Sequence, residues 1–450
     1  SYTAGYDVRS VAISADGQYI VAGGSDKKVY LFHRSSSTPL WSYTTGDYVR
    51  SVAISADGQY ITAGSYDMKI YFFQRNSSNP LWSYTTGGYV YDVAISADGQ
   101  YIVIGSSDNK VYLFHRNSST PLWDYTTWDY VYDVAISADG QYIVAGRLNN
   151  KVYLFHRNSS TPLWDYTAGV YVYDVAISAD GQYIVAGSSD KKVYLFHRNS
   201  STPLWDYTAG GSVYDVAISA DGQYIVAGSS GKKVYLFHRT SSTPLWDYAT
   251  GYEVGSVAIS ADGEYIVAGS SGKKVYLFHR TSSTLLWDYT AIGYVYDVAI
   301  SADGQYIAVG SWDCYLFDTI DTDDDGLSDN YELLVSFTDP ADFDTDDDGF
   351  SDGWEVQNGY NPLNSFSNPV VRKIIIVLVI VTVISIALFY FKREISSKIH
   401  QIKSELRRKR TEKKKRERLK LDNHIRELFL RANETIMESD LLIQNFRYLE

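Results

Sequence analysis

The fold is decided by one recurring stretch, VYDVAISADGQYIVIGSSDNKVYLFHRNSSTPLWDYTTWDY, which occupies residues 90–130. Its tetrad Ser-Ala-Asp-Gly occurs eight times at a constant step of 41 residues, and the copies begin at Ser14, Ser55, Ser96, Ser137, Ser178, Ser219, Ser260 and Ser301. A period near this length indicates one supersecondary unit that stacks against its neighbours. The repeat array covers residues 1–317 of the 450.

Each copy predicts four short strands, A to D, which in the third copy are Val90–Ser96, Tyr101–Gly105, Lys110–His115 and Leu122–Thr126. They are rich in Val, Ile, Tyr and Phe, and Gly- and Ser-containing turns separate them. Strand B is apolar on both faces, so each sheet must lie between two other sheets. We therefore predict an all-β fold, an eight-bladed β-propeller of four-stranded blades.

The run VAISADGQYIVAGSSDKKVYLF at residues 175–196 resembles a WD-repeat blade. It departs from that family because Gly-His is absent before strand A, and because strand C ends in Phe-His, Phe-Gln or Phe-Asp where Trp-Asp is usual. The Trp of each PLWDYT segment, such as Trp123, is placed as in quinoprotein-like (PQQ-like) propellers, which commonly have eight blades. The resemblance implies a propeller over residues 1–317.

Residues 1–3 match residues 42–44, which end a D strand, whereas copy eight ends at strand C with Cys314–Phe317. We expect residues 1–4 to pair beside Tyr315–Phe317 and to close the ring, because closure removes exposed sheet edges. We also expect that a signal peptide and a short lead have been removed from the natural precursor.

The net charge is −13, and the acidic and basic residues are distributed unevenly along the chain. Residues 1–371 hold 21 Lys and Arg against 43 Asp and Glu, whereas residues 374–450 hold 17 against 10. The acidic front part argues against a nucleic-acid partner. The single Cys314 excludes an intramolecular disulfide framework.

Residues 321–332 have the spacing of a twelve-residue calcium loop, with a glycine at position six. The pattern returns 23 residues later, and we predict two Ca²⁺ sites. The expected ligands, with a backbone carbonyl at position seven of each loop, are Asp321, Asp323, Asp325, Leu327, Asp329 and Glu332, then Asp344, Asp346, Asp348, Phe350, Asp352 and Glu355. The alternative is an acidic, solvated linker.

The segment DTDDDGFSDGWEVQNGYNPL at residues 344–363 resembles thrombospondin type 3 repeats. This resemblance implies a stiff calcium-bound spacer over residues 318–369.

Residues 374–391 carry no charge, and a helix of 18 residues is about 27 Å long, which is enough to cross a membrane. We predict a membrane span over residues 370–393, and the alternative is a buried core helix. Fourteen Lys and Arg between Lys392 and Lys420 predict that the C-terminus lies in the cytoplasm and the propeller outside.

The basic tail, residues 394–450, is predicted to be helical. Its two short heptad runs favour self-association or a helical partner, or else a helix lying on the membrane.

Candidate ligand-binding residues come from comparing the eight copies. The D–A and B–C loops vary, and both open on one end of an antiparallel ring. We predict that a protein or glycan ligand binds on this face. The alternative is that the sequences of these exposed loop tips have simply drifted. The candidate loop residues are Tyr48, Tyr66, Trp128, Arg147 and Trp312.

A second candidate site is a partial ring of carboxylates near the start of strand A, which comprises Asp92, Asp133, Asp174, Asp215 and Asp297. This ring could attract a cation or a basic peptide. The alternative is that these carboxylates simply hydrogen-bond neighbouring loop backbone.

Four Asn-Ser-Ser sequences in C–D turns fit the N-glycosylation pattern, and they start at Asn76, Asn117, Asn158 and Asn199. The alternative is that Asn and Ser occur there because both residues favour turns.

Catalysis is not predicted, because near-identical blades offer the same residues repeatedly and no nucleophile with its base is present. The quinoprotein enzymes that the chain resembles carry a vicinal disulfide near the cofactor, which one cysteine cannot form. We expect a single-pass cell-surface recognition or scaffold protein. The alternatives are a receptor that relays ligand binding to its tail, and a quinoprotein-like enzyme.

Overall fold

In a computed structural model of the chain, the described residues are 2–3, 6–147, 150–319, 342, 344–345, 350–352, 355, 362–363, 384, 386, 388–402 and 416–446. The chain divides into two units, Ser1–Ser365 and Phe366–Glu450. The first unit contains eight separate four-stranded antiparallel sheets. This confirms the predicted all-β, eight-bladed propeller.

The strands are named in chain order, and each blade has an inner strand A followed outward by B, C and D. The A strands are β2 (Val8–Ile13), β6 (Val49–Ile54), β10 (Val90–Ile95), β14 (Val131–Ile136), β18 (Val172–Ile177), β22 (Val213–Ile218), β26 (Val254–Ile259) and β30 (Asp297–Ile300). The B strands are β3 (Tyr19–Gly24), β7 (Tyr60–Ser65), β11 (Tyr101–Ser106), β15 (Tyr142–Arg147), β19 (Tyr183–Ser188), β23 (Tyr224–Ser229), β27 (Tyr265–Ser270) and β31 (Tyr306–Gly310). The C strands are β4 (Lys28–His33), β8 (Lys69–Gln74), β12 (Lys110–His115), β16 (Lys151–His156), β20 (Lys192–His197), β24 (Lys233–His238), β28 (Lys274–His279) and β32 (Asp313–Asp318). The D strands are β5 (Trp41–Thr44), β9 (Trp82–Thr85), β13 (Trp123–Thr126), β17 (Trp164–Thr167), β21 (Trp205–Thr208), β25 (Trp246–Ala249), β29 (Leu285–Thr290) and β1 (Tyr2–Thr3).

The core lies between neighbouring blades. Val103 and Leu113 of blade three pack against Val131 and Ile143 of blade four, and all four side chains are fully buried. The same arrangement recurs around the ring. Strand B is therefore apolar on both faces because one face meets each neighbouring blade.

The Ser-Ala-Asp-Gly turns join the blades at one end of the ring. The Ala15 N–H donates to the carbonyl of Ala56 at 3.0 Å, and the series continues blade by blade until the Ala302 N–H donates back to Ala15. Within each turn the Ser hydroxyl donates to the Asp carboxylate, as Ser14 does to Asp16 at 2.6 Å. Eight hydrogen bonds thus close a ring, which accounts for the constancy of these turns among the copies.

The D-strand tryptophan fastens each of blades one to six to the next. The Trp123 indole N–H donates to the carbonyl of Arg157 at 2.7 Å, and its ring lies 5.4 Å from the ring of Phe155. The guanidinium of Arg157 in turn lies 4.8 Å from the ring centre of Tyr101. Six seams between blades are stabilised in this way by a large aromatic with a satisfied N–H, whereas the Trp287 N–H lacks a partner among the described residues.

The ring closes through both ends of the repeat array. Strand β1 pairs with β32, with Tyr2 opposite Cys314 and Thr3 opposite Asp313. The predicted closure is confirmed, although the residues that pair with β1, Asp313 and Cys314, directly precede the expected Tyr315–Phe317. This pairing follows from the repeat, because Tyr43 lies opposite Val29 in the same way in blade one.

Most of the predicted calcium loops and of the membrane span at residues 370–393 lies outside the described residues. In the second unit, residues 388–402 are helical, and a longer helix, α1, spans Arg416–Phe446. No helix within the described part of the chain is both long and apolar enough to cross a membrane. The tail is helical, as predicted, wherever the structure describes it.

Candidate functional site

A bulge in the inner strands shapes the axis of the propeller. In β10, Val90 lies opposite Ser106 while Asp92 already lies opposite Gly105, so Tyr91 is an extra residue. The same shift occurs in the inner strands of blades one to seven. Because a bulge interrupts the alternation of side chains, two consecutive residues, Tyr91 and Asp92, both line the axial cavity.

The axial cavity has a volume of about 390 Å³ and two layers of side chains. We call them the tyrosine layer and the carboxylate layer, one residue apart in each inner strand. The tyrosine layer consists of Arg9, Arg50, Tyr91, Tyr132, Tyr173, Tyr214, Gly255 and Tyr296. The carboxylate layer consists of Ser10, Ser51, Asp92, Asp133, Asp174, Asp215, Ser256 and Asp297.

The carboxylate layer forms a second closed ring of hydrogen bonds. Each of its eight side chains accepts the backbone N–H of a valine in the next blade, at 2.5 to 3.2 Å. Val134, for example, donates to Asp92 Oδ2 at 3.0 Å. Hydrogen bonding to a neighbouring backbone was one of the two predictions for these residues. The acceptor role is confirmed, and the donor is the adjacent inner strand, not a loop.

Burial raises the pKa of every carboxyl group in this layer, because the cavity wall disfavours the charged form. Desolvation, followed by the charge of the neighbouring carboxylates, places the pKa values of Asp133 and Asp174 well above the ordinary value. Desolvation raises the pKa of Asp215 to about 7 and that of Asp297 to about 6. The pKa values of Asp215 and Asp297 therefore lie close to neutral pH.

The tyrosine layer is continuous over blades three to six. The ring centres of Tyr91 and Tyr132 lie 5.6 Å apart, those of Tyr132 and Tyr173 lie 6.3 Å apart, and those of Tyr173 and Tyr214 lie 5.6 Å apart. The two cations of this layer lie in blades one and two: Arg9 stacks 4.4 Å from the Tyr296 ring, and Arg50 approaches Tyr132. Aromatic faces above carboxylates are suited to binding a cation.

The other predicted loop residues take three different positions. Tyr48, Trp128 and Trp312 are exposed. Tyr66 is half-buried, and its ring lies 6.1 Å from that of Tyr91, which connects it to the axial site. Arg147 is only 3% exposed, so it does not present its guanidinium directly to solvent.

The remaining predicted sites are placed only partly. Asn76, Asn117, Asn158 and Asn199 are all exposed, and their glycosylation stays a prediction. The first calcium loop, residues 321–332, lies outside the described residues, as do Asp346 and Asp348. In the second loop the buried carboxylate of Asp352 accepts from Thr345, at 3.0 Å from its N–H and 2.6 Å from its hydroxyl. No group of three or more His, Cys, Asp or Glu suited to a metal occurs among the residues that the structure describes.

The tyrosine layer was missed from the sequence. Its signal is the recurring Tyr-Asp pair in the segment VYDVAI, which starts at Val90, Val131, Val172, Val213 and Val295. Regular strand alternation would direct the two residues of each pair to opposite faces. The bulge overrides this alternation, and nothing in a single copy marks it.

Several known proteins share this architecture. A crystal structure of Sqt1 from Chaetomium thermophilum, bound to the N-terminus of the ribosomal protein L10, superposes with a TM-score of 0.63 at 15% identity, covering 71% of this chain and 98% of that one. The computationally designed Ika8 protein superposes with a TM-score of 0.60 at 13% identity, covering 70% of this chain and 96% of that one. At these identities the likeness shows the fold alone. No curated protein matches the sequence.

Three family models match parts of the chain. Residues 344–365 match the bacterial thrombospondin type 3 repeat, and residues 119–156 match the WD domain, G-beta repeat. Residues 3–125 and 148–301 match the PQQ-like model described as outer membrane protein assembly factor BamB. These matches confirm all three resemblances. Since the last model spans more than half of the 450 residues, the chain belongs to the PQQ-like propeller family described as outer membrane protein assembly factor BamB.

Proposed function

We propose that this protein is a non-enzymatic recognition module whose propeller binds a segment of a partner protein, with a basic side chain of the partner entering the axial cavity. The observation that carries the proposal is the sector formed by blades three to six. There, four tyrosines stand above four consecutive carboxyl groups. The two arginines of the tyrosine layer belong to blades one and two, and of the sector's tyrosines Arg50 approaches Tyr132. A Lys or Arg side chain would find both aromatic faces and negative charge in this sector.

The size and surroundings of the cavity fit such a ligand. A volume of about 390 Å³ admits one long side chain, and the exposed Tyr48, Trp128 and Trp312 provide contact area for the rest of the segment. The Sqt1 structure supports the proposal by analogy, because that propeller binds the N-terminus of another protein.

The way in which the module is displayed is also a proposal. The match to a bacterial thrombospondin type 3 repeat, a calcium-binding type of sequence, supports a Ca²⁺-bound spacer after the propeller. The uncharged run at residues 374–391, followed by the basic tail, supports a single membrane span with the propeller outside the cell. The receptor alternative differs in one respect, since ligand binding would then change the association of the helical tail.

Calorimetric titration of the full chain with acetyl-Lys-amide and acetyl-Arg-amide tests the binding proposal, with acetyl-Gln-amide as the neutral comparison. Both cations should bind, and Asp215→Asn should weaken binding by about tenfold at pH 8, because the pKa of Asp215 is about 7 and the substitution removes one charge beside the ligand. Asp206→Asn is the matched control, since Asp206 pairs with Lys192 on an outer strand and is exposed.

The affinity should also rise between pH 5.5 and pH 8. Desolvation raises the pKa of Asp215 to about 7, so this group carries a proton at pH 5.5 and is mostly anionic at pH 8. Equal heats for the Lys and Gln amides, or equal losses in the two Asp→Asn variants, would refute the proposal.

A further inference from the structure

The two arginines that line the axial cavity have different surroundings. The Arg9 guanidinium donates from Nη2 to Asp7 Oδ2 at 2.8 Å and from Nε to the Ser25 hydroxyl at 3.2 Å. Arg50 forms no salt bridge with a carboxylate in the described part of the chain. Its one side-chain hydrogen bond there is donated from Nη2 to the Tyr132 hydroxyl at 3.5 Å. Because a guanidinium has five N–H donors, Arg50 retains donors for a ligand.

The Arg50 guanidinium is accessible from the cavity. Arg50 is half-buried and lines the cavity from blade two, whereas Tyr132 belongs to blade four. Because blade three lies between them, the side chain reaches along the cavity wall into the sector of blades three to six. The carboxyl group of blade three is bonded elsewhere, since Asp92 accepts the Ser51 hydroxyl at 2.7 Å and the Val134 N–H at 3.0 Å.

This cation affects which ligand the cavity can bind. A Lys or Arg side chain in the sector would lie near Arg50, and like charges in a confined cavity repel each other. A carboxylate on the same ligand would offset that repulsion, because a guanidinium binds a carboxylate through two parallel N–H donors. The Tyr132 hydroxyl accepts from Arg50 and still has its own proton to donate to such a carboxylate.

The charges are arranged so that one ligand can contact both signs. In a ring of eight blades, blade six lies opposite blade two, so Asp215 lies across the axis from Arg50. The pKa of Asp215 is about 7, so this group is mostly anionic at pH 8. The cavity volume of about 390 Å³ admits one long side chain, so both charges of the ligand must belong to one residue. A C-terminal Lys or Arg carries a base and a carboxylate together.

We infer that the axial cavity binds the C-terminal lysine or arginine of a partner protein. Its α-carboxylate pairs with Arg50 and Tyr132, and its basic side chain lies against the carboxyl groups of blades five and six. This inference rests on the proposed function, because it specifies which part of the partner segment enters the cavity. Arg50 thereby selects a chain terminus over an internal Lys or Arg, whose carbonyl carries no charge.

Calorimetric titration of the full chain at pH 8 compares Nα-acetyl-Lys, which has a free α-carboxylate, with acetyl-Lys-amide. The free carboxylate should bind about tenfold more tightly, because it adds charge-assisted hydrogen bonds to Arg50. If neither compound binds, the proposed function itself fails. If both bind equally, only the inference about the terminus fails. Acetyl-Asp-Lys-amide carries its two charges on neighbouring residues, and an equal gain with this compound would overturn the assignment to a chain terminus.

Arg50→Gln should make the two affinities equal. Loss of the repulsion should strengthen binding of acetyl-Lys-amide about threefold, a gain that a misfolded variant could not show. Arg198→Gln is the matched control, because the Arg198 guanidinium also stacks on a tyrosine, 4.7 Å from the ring centre of Tyr142, but lies in a C–D turn outside the cavity. It should keep the preference for the free carboxylate. A preference that survives Arg50→Gln, or that is lost in Arg198→Gln, would overturn the inference.

Discussion

Replacing Asp215 by asparagine should stabilise the propeller at alkaline pH. Asp215 accepts the Val257 N–H, which an asparagine oxygen can also accept, so the bond between blades is retained. What the substitution removes is a negative charge in a layer that already holds Asp174 and Asp297. The folded state therefore keeps its geometry and loses a repulsion.

The magnitude follows from the pKa. Desolvation raises the pKa of Asp215 from 3.8 to about 7, so the folded state holds this proton more tightly than the unfolded chain does. The resulting stability is present below pH 4 and is lost as the pH rises through about 7. At about 1.4 kcal/mol per pKa unit, the upper limit is about 4 kcal/mol at pH 8. Water in the cavity relieves part of this cost, and we expect about 1–3 kcal/mol.

The assay compares thermal unfolding of the wild type and Asp215→Asn at pH 5 and pH 8, followed by tryptophan fluorescence. The wild type should lose stability between these pH values, and the variant should lose less. Asp206→Asn, which removes an exposed carboxylate, controls for net charge. A variant that is less stable than the wild type at pH 8, or a wild type that is more stable at pH 8 than at pH 5, would refute the reasoning.

Three further predictions follow from the repeat and the calcium pattern. Lys191→Asn should stabilise the propeller by about 0.5–1 kcal/mol in denaturant unfolding, because Lys191 has a φ of +71° and asparagine tolerates this region better; no gain would contradict the assigned strain. Trp205→Phe should destabilise it by about 1–2 kcal/mol in the same assay, since the carbonyl of Arg239 loses its donor, and an unchanged midpoint would contradict the fastening role. Asp325→Ala combined with Asp348→Ala should abolish calcium uptake in calorimetry of the full chain, and undiminished uptake would reject the assignment.

Much of the fold could be predicted from the sequence because the information is repeated. A step of 41 residues fixes the number of blades, and four apolar runs per copy fix the strands to within one residue at either end in blade three. Ring closure was also predictable, because residues 1–3 match a D strand that copy eight lacks.

The axial site could be predicted only in part. The carboxylates were visible as a recurring residue near the start of strand A, but the tyrosine beside each of them was not, since the bulge at Tyr91 is a property of strand pairing. Arg147 lies in a variable loop and was predicted to bind ligand there, yet it is buried. Its guanidinium donates to the Tyr153 hydroxyl, a contact that loop variability cannot reveal.

The mixture of serine and aspartate in the carboxylate layer shows which side chains the fold requires there. In three blades a serine hydroxyl accepts the valine N–H of the next blade, at 3.1 to 3.2 Å. In the other five blades an aspartate carboxylate accepts that N–H. A hydroxyl therefore suffices for this bond, and Asp92, Asp133, Asp174 and Asp215 are not needed as carboxylates to hold the ring. Their mutual repulsion destabilises the folded state as they ionise. Four adjacent carboxyl groups that the fold does not require, beneath four tyrosines, support the proposal of a cationic ligand.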